Sequence, residues 1–441
     1  MEFVFIFVIE FAPMKESNIF GVGLLGAGTI GSEVFNQITL REKELRDSFP
    51  DAAFEVKKVL VRDPLKNRRV SIPQELLTTQ LDVVVDDSSV DIIVSLLGIA
   101  DVEYEAILKA LMAGKKVVTA NKDVIARNGQ ELLQTAVNKN SALYFEAAVA
   151  GGIQVVDNLT GRYGLNHFYA ISAILNATSN YVLSRMTSAG AESEQALLEA
   201  QEKGYAEPNS ENDLNGKDAA YKIAILVSLA FREGWVNPDN IFTKGIDSLE
   251  LSDFEYALEM GYVIKLIADA QRTEGSLDVW VSPTLVHKNH PLASVNGVTN
   301  GILLSGNPIG QIKLEGLGAG SEPTSASVLS DIMRAAQDGT PLNINLDSAQ
   351  VMEPGESVGR NYIRMTVLDR PGVTAEITKI IGDNRINIDE IRQLESATDG
   401  TLANTVFLTG FSGQGSLHRA IREISDLDVC QKINSVMRVM R

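Results

Sequence analysis

A glycine-rich segment near the start of the chain places the strongest constraint on its fold. The segment reads Gly26-Ala27-Gly28-Thr29-Ile30-Gly31, the pattern GxGxxG, between a short apolar run and a helical stretch. Gly26 permits a tight turn, Gly28 lets the backbone approach a pyrophosphate, and Gly31 lets helix and strand pack closely. The pyrophosphate would lie at the helix N-terminus, where free N–H groups favour negative charge. This context predicts a dinucleotide-binding turn, and the alternative is a purely structural glycine turn.

Short apolar runs alternate with helical stretches over residues 18–150, as in βαβ units. Strands are predicted at 19–25, 54–61, 90–96, 116–119 and 143–148, and helices at 32–46, 103–113 and 129–138. The fold class is therefore α/β, with a Rossmann-type doubly wound parallel sheet. Residues 1–17 hold an apolar run too short to span a bilayer, and we expect an N-terminal arm that is disordered or a mis-called start.

The pattern changes after residue 150. Predicted helices at 193–203, 217–232 and 254–270 precede predicted strands at 277–285 and 297–305. We predict a mixed α+β domain over 151–348 that binds substrate and dimerises, and a helix at 321–340 that returns to pack on the first domain. Residues 349–359 contain proline and glycine and are typical of a linker.

Residues 360–441 form a further predicted unit. Strands are predicted at 362–368, 386–394, 402–411 and 435–440, and helices at 372–384 and 416–424. The order βαββαβ predicts a ferredoxin-like domain.

The composition excludes some classes of partner. The chain has 39 Lys and Arg against 57 Asp and Glu, a net charge of −18, which repels nucleic acid and anionic membranes. Its single cysteine, Cys430, rules out a disulfide framework and a cysteine zinc cluster, and fits a cytoplasmic location.

The end of the second predicted strand carries a signal for cofactor choice. An acidic residue there binds a ribose hydroxyl of NAD, whereas a guanidinium suits the 2′-phosphate of NADP. Both types stand side by side as Arg62 and Asp63. Arg62 favours NADP(H) over NAD(H), and the alternative is a solvated loop arginine.

Five ionisable residues form the candidate chemistry. Lys122 follows a predicted strand and would lie at the carboxyl edge of the sheet, where ligands bind in such folds. Asp218 and Lys222 are four residues apart on a predicted helix, shortly after Glu207 and Asp213. This pair could hold an amino acid or move a proton. The spacing alone leaves an exposed ion pair, worth under about 1 kcal/mol, as the favoured alternative.

Several motifs in this order resemble homoserine dehydrogenases of the long form with a C-terminal ACT regulatory domain. They are GLLGAGTIG (23–31), VVTANK (117–122), YFEAAVAGG (144–152), LNATSNYVL (175–183), GYAEP (204–208), DLNGKDAAYK (213–222) and GLGAGSEPTSA (316–326). The resemblance covers residues 18–441 and reverses the preference for an exposed ion pair.

The resemblance implies NAD(P)H-dependent reduction of L-aspartate 4-semialdehyde to L-homoserine, in threonine and methionine biosynthesis. Lys222 would donate the proton to the carbonyl oxygen and Lys122 would assist, while Glu207 and Asp218 would hold the ends of the substrate. It also implies further site residues, which are Asp213 and Thr178 for the substrate, and Ser95 and Gly318 for the cofactor.

The resemblance further implies a structural sodium ion and an effector. The sodium ligands would be the main-chain oxygens of Glu146, Val149, Gly151 and Ile153. The bend there is rich in glycine, and a simple hinge is the alternative.

In the ACT domain, three residues would bind L-threonine at a paired interface in a homodimer or homotetramer; they are Asp369, Gly372 and Asn387. An ACT domain used only for assembly is the alternative.

Three positions depart from the family pattern, and they are Ser95, Gln154 and Ala177. They leave open a catalytically impaired protein that senses a nucleotide or an amino acid. An aspartate-semialdehyde dehydrogenase would need a cysteine nucleophile in its catalytic domain. Cys430 lies in the C-terminal domain, which argues against that enzyme.

Overall fold

The structure, a computed structural model, describes residues 18–48, 52–337, 339–395 and 401–440. It divides into two compact units. The first comprises the residues up to Thr119 with Thr135–Tyr144 and Val328–Pro341; the second comprises Ala120–Gln134, Phe145–Ser327 and the residues from Leu342 onward. The arm predicted over 1–17 lies outside the described residues.

The first unit contains a parallel sheet of six strands. They are β1 (Asn18–Leu25), β2 (Ala52–Leu60), β3 (Leu77–Thr78), β4 (Ile92–Ser95), β5 (Lys116–Thr119) and β6 (Leu143–Tyr144). Their order is β3-β2-β1-β4-β5-β6, the order of a dinucleotide-binding sheet. Strand β4 is buried along its whole length, because helices cover both faces of a parallel sheet. The predicted Rossmann-type fold is confirmed.

The helices of both units are short to medium in length. They are α1 (Thr29–Leu40), α2 (Glu42–Ser48), α3 (Leu81–Val85), α4 (Ala100–Met112), α5 (Lys122–Asn138), α6 (Val155–Asp157), α7 (Ala177–Ala189), α8 (Ser193–Glu202), α9 (Glu211–Leu214), α10 (Lys217–Phe231), α11 (Leu251–Glu259), α12 (Ser321–Gln337), α13 (Val373–Asp383) and α14 (Gln414–Ser425). Within the described ranges, no helix combines the length and the apolar character that crossing a membrane requires.

The second unit is built on a large mixed sheet. Its strands are β7 (His167–Ile174), β8 (Phe242–Thr243), β9 (Tyr262–Arg272), β10 (Leu277–His287), β11 (Thr299–Asn307), β12 (Gly310–Leu317), β13 (Val358–Leu368), β14 (Ile388–Glu395), β15 (Leu402–Thr409), β16 (Ser412–Gly413) and β17 (Cys430–Val439). The main order is β12-β11-β7-β9-β10-β17-β13-β15-β14, with β8 on β10 and β16 on β13.

The C-terminal part of this sheet has ferredoxin-like topology. Strands β14, β15, β13 and β17 are neighbours in that order, and α13 and α14 connect them in the sequence βαββαβ. The prediction for the C-terminal domain is thus confirmed. Strand β17 also pairs in parallel with β10, through Thr284 with Arg438 and Leu285 with Val439. The C-terminal strands therefore continue the sheet that precedes them in the chain.

A buried ionic cluster also joins these strands to the rest of the second unit. Arg364 in β13 binds both carboxylate oxygens of Asp253 in α11, and Tyr362 donates its hydroxyl to the same carboxylate. The second guanidinium contact of Arg364 is Glu250, the N-cap of α11. Asp253 accepts no less than three hydrogen bonds, which compensates for its complete burial.

The predicted helix at 254–270 is wrong. Helix α11 ends at Glu259, Gly261 takes a positive φ of 84°, and the chain continues as strand β9. Residues 264–270 are buried throughout, so their apolar run lacks the alternation that separates a strand from a buried helix. The predicted strand at 143–148 is also too long, because β6 covers two residues and Glu146–Ala148 form a 3₁₀ turn.

The segment predicted as a linker, 349–359, makes regular backbone contacts. The N–H of Leu277 donates to Gln350 at 2.9 Å, and the N–H of Met352 donates to Leu277 at 2.8 Å. The segment thus runs along the start of β10 before β13 begins at Val358.

Candidate active site

A polar pocket in the second unit gathers four of the predicted site residues. Its lining consists of Lys122, Asp123, Glu207, Asn209, Asn212, Asp213, Asp218 and Tyr221. Lys122 and Asp123 begin α5, Glu207 lies in the loop between α8 and α9, and the remainder come from that loop, α9 and the start of α10. Residues far apart in sequence therefore meet at one concave, strongly ionic surface.

Asp218 is the centre of this pocket because it binds two lysines. The Nζ of Lys222 lies 2.7 Å from Oδ2 of Asp218, and the Nζ of Lys122 lies 3.4 Å from Oδ1. Lys222 also donates to the carbonyl oxygen of Leu175 at 2.9 Å. Asp218 and Lys222 are 5% and 9% exposed. This burial excludes the alternative of an exposed surface ion pair.

The local sequence explains the placement of Asp218. Gly216 precedes α10 with a φ of 85°, a conformation that glycine adopts without strain. Asp218 then lies in the first turn of α10, where the helix dipole favours a negative charge. Lys222 follows one turn later on the same face, which brings the two side chains together.

The charges of the pocket shift the protonation of its members. Burial opposes ionisation of Asp218, but Lys222 and Lys122 outweigh it and lower the pKa of this carboxyl. Burial likewise opposes the charged form of Lys122, and the carboxylates of Asp218 and Asp123 nevertheless raise its pKa. Burial and the neighbouring Asp218 raise the pKa of Asp213. At neutral pH the pocket thus holds an anionic Asp218 with a cationic Lys122.

Asn176 holds the carboxylates of Asp213 and Asp218 in place, and sequence reasoning missed it. Its Nδ2 donates to Asp213 at 2.7 Å and to Asp218 at 2.8 Å. Its Oδ1 accepts from the N–H of Ser179, so Asn176 is also the N-cap of α7. An asparagine before a helix signals a cap, but no local pattern indicates that its amide also reaches α9 and α10.

Thr178 and Glu207 occupy different parts of the substrate region. Thr178 is buried in the first turn of α7 and donates its hydroxyl to the carbonyl oxygen of Tyr205 at 3.2 Å. Glu207 is exposed at the rim of the pocket. Ala177, one of the departures from the family pattern, is buried beside Asn176 and is not among the residues that line the pocket.

The glycine turn of the first unit has the shape that a pyrophosphate requires. A side chain at Gly31 would place its Cβ 2.1 Å from the carbonyl oxygen of Gly26, so the helix can approach the turn only with glycine there. A Cβ at Gly28 would meet nothing within 4 Å. Gly28 is the N-cap of α1, and no side chain caps that helix. The N-terminus of α1 therefore offers N–H groups beside open space, which fits an anion.

Arg62 and Ser95 lie at the same edge of the parallel sheet as this turn. The turn follows β1, Arg62 follows β2 within two residues, and Ser95 ends β4, which pairs with β1. Arg62 is exposed. Ser95 is fully buried, and its hydroxyl has no hydrogen-bond partner among the described residues. A buried hydroxyl without a partner at the ligand edge of the sheet fits a bound cofactor.

The predicted sodium ligands lie on a tight bend of the second unit. Ala150 and Gly151 both have a φ of 57°, and a Cβ on Gly151 would come within 2.8 Å of Gly318. The oxygens of Glu146, Gly151 and Ile153 accept bonds from Val149 N, Ser327 Oγ and Val155 N respectively. A carbonyl oxygen has a second lone pair, and such oxygens suit a hard cation. The main-chain oxygens of this bend are therefore suitable ligands for sodium.

The three predicted effector residues do not form one site within a single chain. Asp369 and Gly372 lie beyond the end of β13, where Leu368 pairs with Leu402. Asn387 lies beside Gly410, past the opposite end of β15. The length of β15 separates them by roughly 20 Å at 3.3 Å per residue. A shared effector site at a paired interface, as predicted, would therefore need these residues from different chains, and it stays a prediction.

The fold of the first unit is that of proteins that bind NAD(P), and the ionic pocket supplies the acid–base groups that redox chemistry on a carbonyl needs. Together, the fold and the pocket place the protein in the class of NAD(P)-dependent oxidoreductases. Family models for homoserine dehydrogenase match residues 155–333, and those for its NAD-binding domain and for the ACT domain match 26–146 and 361–427. The chain belongs to the homoserine dehydrogenase family.

Individual relatives match this chain in sequence over nearly its full length. A homoserine dehydrogenase of Synechocystis is 40% identical over 437 residues, which is 95% of this chain and 99% of that protein. One of Bacillus subtilis is 34% identical over 95% of this chain and 98% of its own. A crystal structure from Thiobacillus denitrificans superposes with a TM-score of 0.88 at 32% identity, covering 96% and 99% of the two chains.

Proposed function

We propose that this chain reduces L-aspartate 4-semialdehyde to L-homoserine at the pocket centred on Asp218. The observation that carries the proposal is the buried carboxylate that binds Lys122 and Lys222 at its two oxygens. The nicotinamide cofactor supplies the hydride when bound. As hydride reaches an aldehyde carbon, negative charge builds on the oxygen, and an ammonium group can neutralise it and give up a proton.

Lys222 is the proton donor in this proposal. A lysine ammonium has three N–H donors. Among the described residues, the acceptors of Lys222 are Asp218 and Leu175, which leaves a third N–H for the substrate oxygen. Lys122 keeps its charge, because the neighbouring carboxylates raise its pKa. It is therefore suited to stabilising the developing oxyanion without losing its own proton.

The carboxylates of the pocket account for recognition of an amino acid. The exposed Glu207 and the half-buried Asp213 would provide negative charge for the substrate ammonium, with Thr178 close to the pocket on α7. Asp218 would receive the hydroxyl end of the product next to Lys222. An aldehyde without an ammonium group would lack these contacts and should react poorly.

We propose NADP(H) as the preferred cofactor. The turn from Gly26 to Gly31 would bind the pyrophosphate, and Ser95 would use its unpaired hydroxyl toward the cofactor. Arg62 would bind the 2′-phosphate, because a guanidinium donates two parallel hydrogen bonds to such a group. Gly318, whose backbone lies against the bend at Gly151, is a further proposed cofactor residue.

We propose that sodium binds the bend through the oxygens of Glu146, Val149, Gly151 and Ile153, in a structural role. The side chain of Glu146 accepts from the N–H groups of Val156 and Asp157 and so fixes one end of the bend. Replacement of sodium by a larger cation at constant ionic strength should lower the melting temperature. An unchanged melting temperature would refute the site.

We propose that the ACT domain binds L-threonine as a feedback effector between two chains of a homodimer or homotetramer. Asp369 and Gly372 would come from one chain and Asn387 from another, since one chain keeps them apart. Gly372, the N-cap of α13, has a φ of 95°. Gly372→Ala should weaken threonine inhibition and leave uninhibited turnover unchanged.

The deciding experiment is NADPH oxidation with L-aspartate 4-semialdehyde, for the unchanged chain and for Lys222→Met. We expect turnover in the former, loss of kcat by a factor of about 10²–10⁴ in the latter, and equal NADPH affinity in both. Binding of NADPH without turnover in the unchanged chain would instead indicate a sensing protein. We place the reaction in threonine and methionine biosynthesis, in the cytoplasm.

A further inference from the structure

A buried asparagine shares a hydrogen-bond acceptor with Lys222. Asn300, near the start of β11, is 0% exposed, and its Nδ2 donates to the carbonyl oxygen of Leu175 at 3.1 Å. The Nζ of Lys222 donates to the same oxygen at 2.9 Å. The two lone pairs of this carbonyl are thus divided between Lys222 and Asn300.

The other end of the same amide has no partner. Oδ1 of Asn300 is buried and accepts no hydrogen bond from the described residues. Such a group lowers the stability of a fold, and an apolar side chain of equal shape would avoid the loss. Stability therefore does not explain an amide at this position.

The Asn300 amide lies where a side chain at Gly318 would project. A Cβ at Gly318 would lie 2.1 Å from Cγ, 2.2 Å from Oδ1 and 2.3 Å from Nδ2 of Asn300. The amide therefore covers the position that a side chain at 318 would take. A displacement of this loop (316–320) toward the Asn300 amide would therefore push against it, because packed groups do not compress.

We propose that Asn300 is a positioning residue, which transmits the position of the 316–320 loop to the Lys222 ammonium through the Leu175 carbonyl. The proposal rests on the proposed function, in which Lys222 donates the proton. With Asn300 on one lone pair of Leu175, Lys222 is confined to the other. Together with Asp218, this fixes the direction of the third N–H of Lys222.

The direct test is Asn300→Leu, which keeps the branched shape and removes the donor. We expect kcat to fall by about tenfold or more, because small misplacements of a reacting group are costly. The solvent deuterium isotope effect on kcat should rise, while KM for the aldehyde, NADPH affinity and melting temperature stay close to those of the unchanged chain. An unchanged kcat and isotope effect, or a loss confined to melting temperature, would overturn the proposal.

A second pair of variants tests the transmission from the loop. Gly318→Ala forces the Asn300 amide to move, whereas a Cβ at Gly316 meets first the flexible side chain of Ile153, at 3.1 Å. We expect Gly318→Ala to lower kcat and raise the solvent isotope effect as Asn300→Leu does. Gly316→Ala should change neither quantity. The double variant Gly318→Ala with Asn300→Ala should be no slower than Asn300→Ala alone.

Two outcomes separate this proposal from the proposed function. If Lys222→Met retains turnover, Lys222 is not the donor and the proposed function fails, whatever Asn300 does. If Lys222→Met is inactive but the losses from Gly318→Ala and Asn300→Ala simply add, the proposed function survives and the transmission through Asn300 is refuted.

Discussion

Arg364 and Asp253 form an ion pair with Nε and Oδ1 2.7 Å apart, and their side chains are 2% and 0% exposed. The guanidinium reaches the second oxygen as well, at 3.1 Å. The pair joins the first strand of the ACT domain to helix α11 of the segment before it. The ACT domain is therefore held by buried charge as well as by strand pairing.

Loss of one partner of this pair should be severe. In Arg364→Leu, Asp253 remains as a buried charge without its counter-ion, and we expect the free energy of unfolding to fall by about 3–5 kcal/mol. Urea unfolding measures the change. Arg392→Leu is the matched control, because Arg392 makes only solvent-accessible ion pairs, with Glu390 at 2.6 Å and Glu259 at 3.8 Å; it should cost under about 1 kcal/mol. Equal losses would contradict the prediction.

The glycine turn allows a sharp comparison of two alanine variants. Gly28→Ala adds a Cβ into open space, so the fold should be unchanged, while NADPH binding should weaken if the pyrophosphate occupies that space as proposed. Gly31→Ala forces helix α1 away from the turn and should lower the melting temperature as well. Calorimetric binding and thermal unfolding separate the two. Normal NADPH affinity in Gly28→Ala would show that the pyrophosphate lies elsewhere.

Cofactor preference should depend on Arg62. If Arg62 binds the 2′-phosphate as proposed, its guanidinium makes a charge-assisted contact that NADH lacks, so Arg62→Ala should weaken NADPH binding by about tenfold or more and leave NADH binding unchanged. The control is Arg41→Ala, which removes an equally exposed charge that is paired with Glu44. An equal effect of the two variants would assign the change to net charge.

The acidic limb of the pH profile of kcat/KM should depend on the protonation of Asp213. In the proposed function its carboxylate form holds the substrate ammonium, so kcat/KM should fall as pH drops through its raised pKa. Asn176→Ser keeps the helix cap but removes the amide that stabilises the ionised form, which raises the pKa of Asp213 further. The limb should move to higher pH.

The profile of kcat/KM against pH checks this shift. Asn237→Ser, at the N-cap of Pro238–Asn240, provides the same substitution at a cap outside the pocket. It should leave the limb in place. A limb that does not move in Asn176→Ser would remove Asp213 from substrate recognition.

The sequence predicted most of the architecture because its signals were local. The glycine turn, the strand–helix alternation and the βαββαβ order each show in short windows. Strand β9 was predicted as a helix, because its residues are buried on both faces and show no period. The ionic residues of the pocket came from family resemblance, since the i,i+4 spacing of Asp218 and Lys222 alone could not show burial.

Other features depend on contacts between distant residues. Asn176 is a recognisable cap, but its amide reaches Asp213 and Asp218, 37 and 42 residues further along the chain. Asn300 lies 125 residues from Leu175. Asn387 and Gly372 are close in sequence, yet α13 carries the chain from one end of the ACT strands to the other. No local sequence pattern indicates which distant residues the fold brings together or keeps apart.

The parallel pairing of β17 with β10 has a consequence for truncation. The closing strand of the chain satisfies backbone groups at Thr284 and Leu285, and the N–H of Met440 donates to Leu285 at 2.8 Å. A shortened version that stops before the ACT domain would leave this part of β10 as an exposed edge strand, and exposed edge strands promote self-association. We therefore expect such a version to aggregate rather than to behave as an unregulated enzyme.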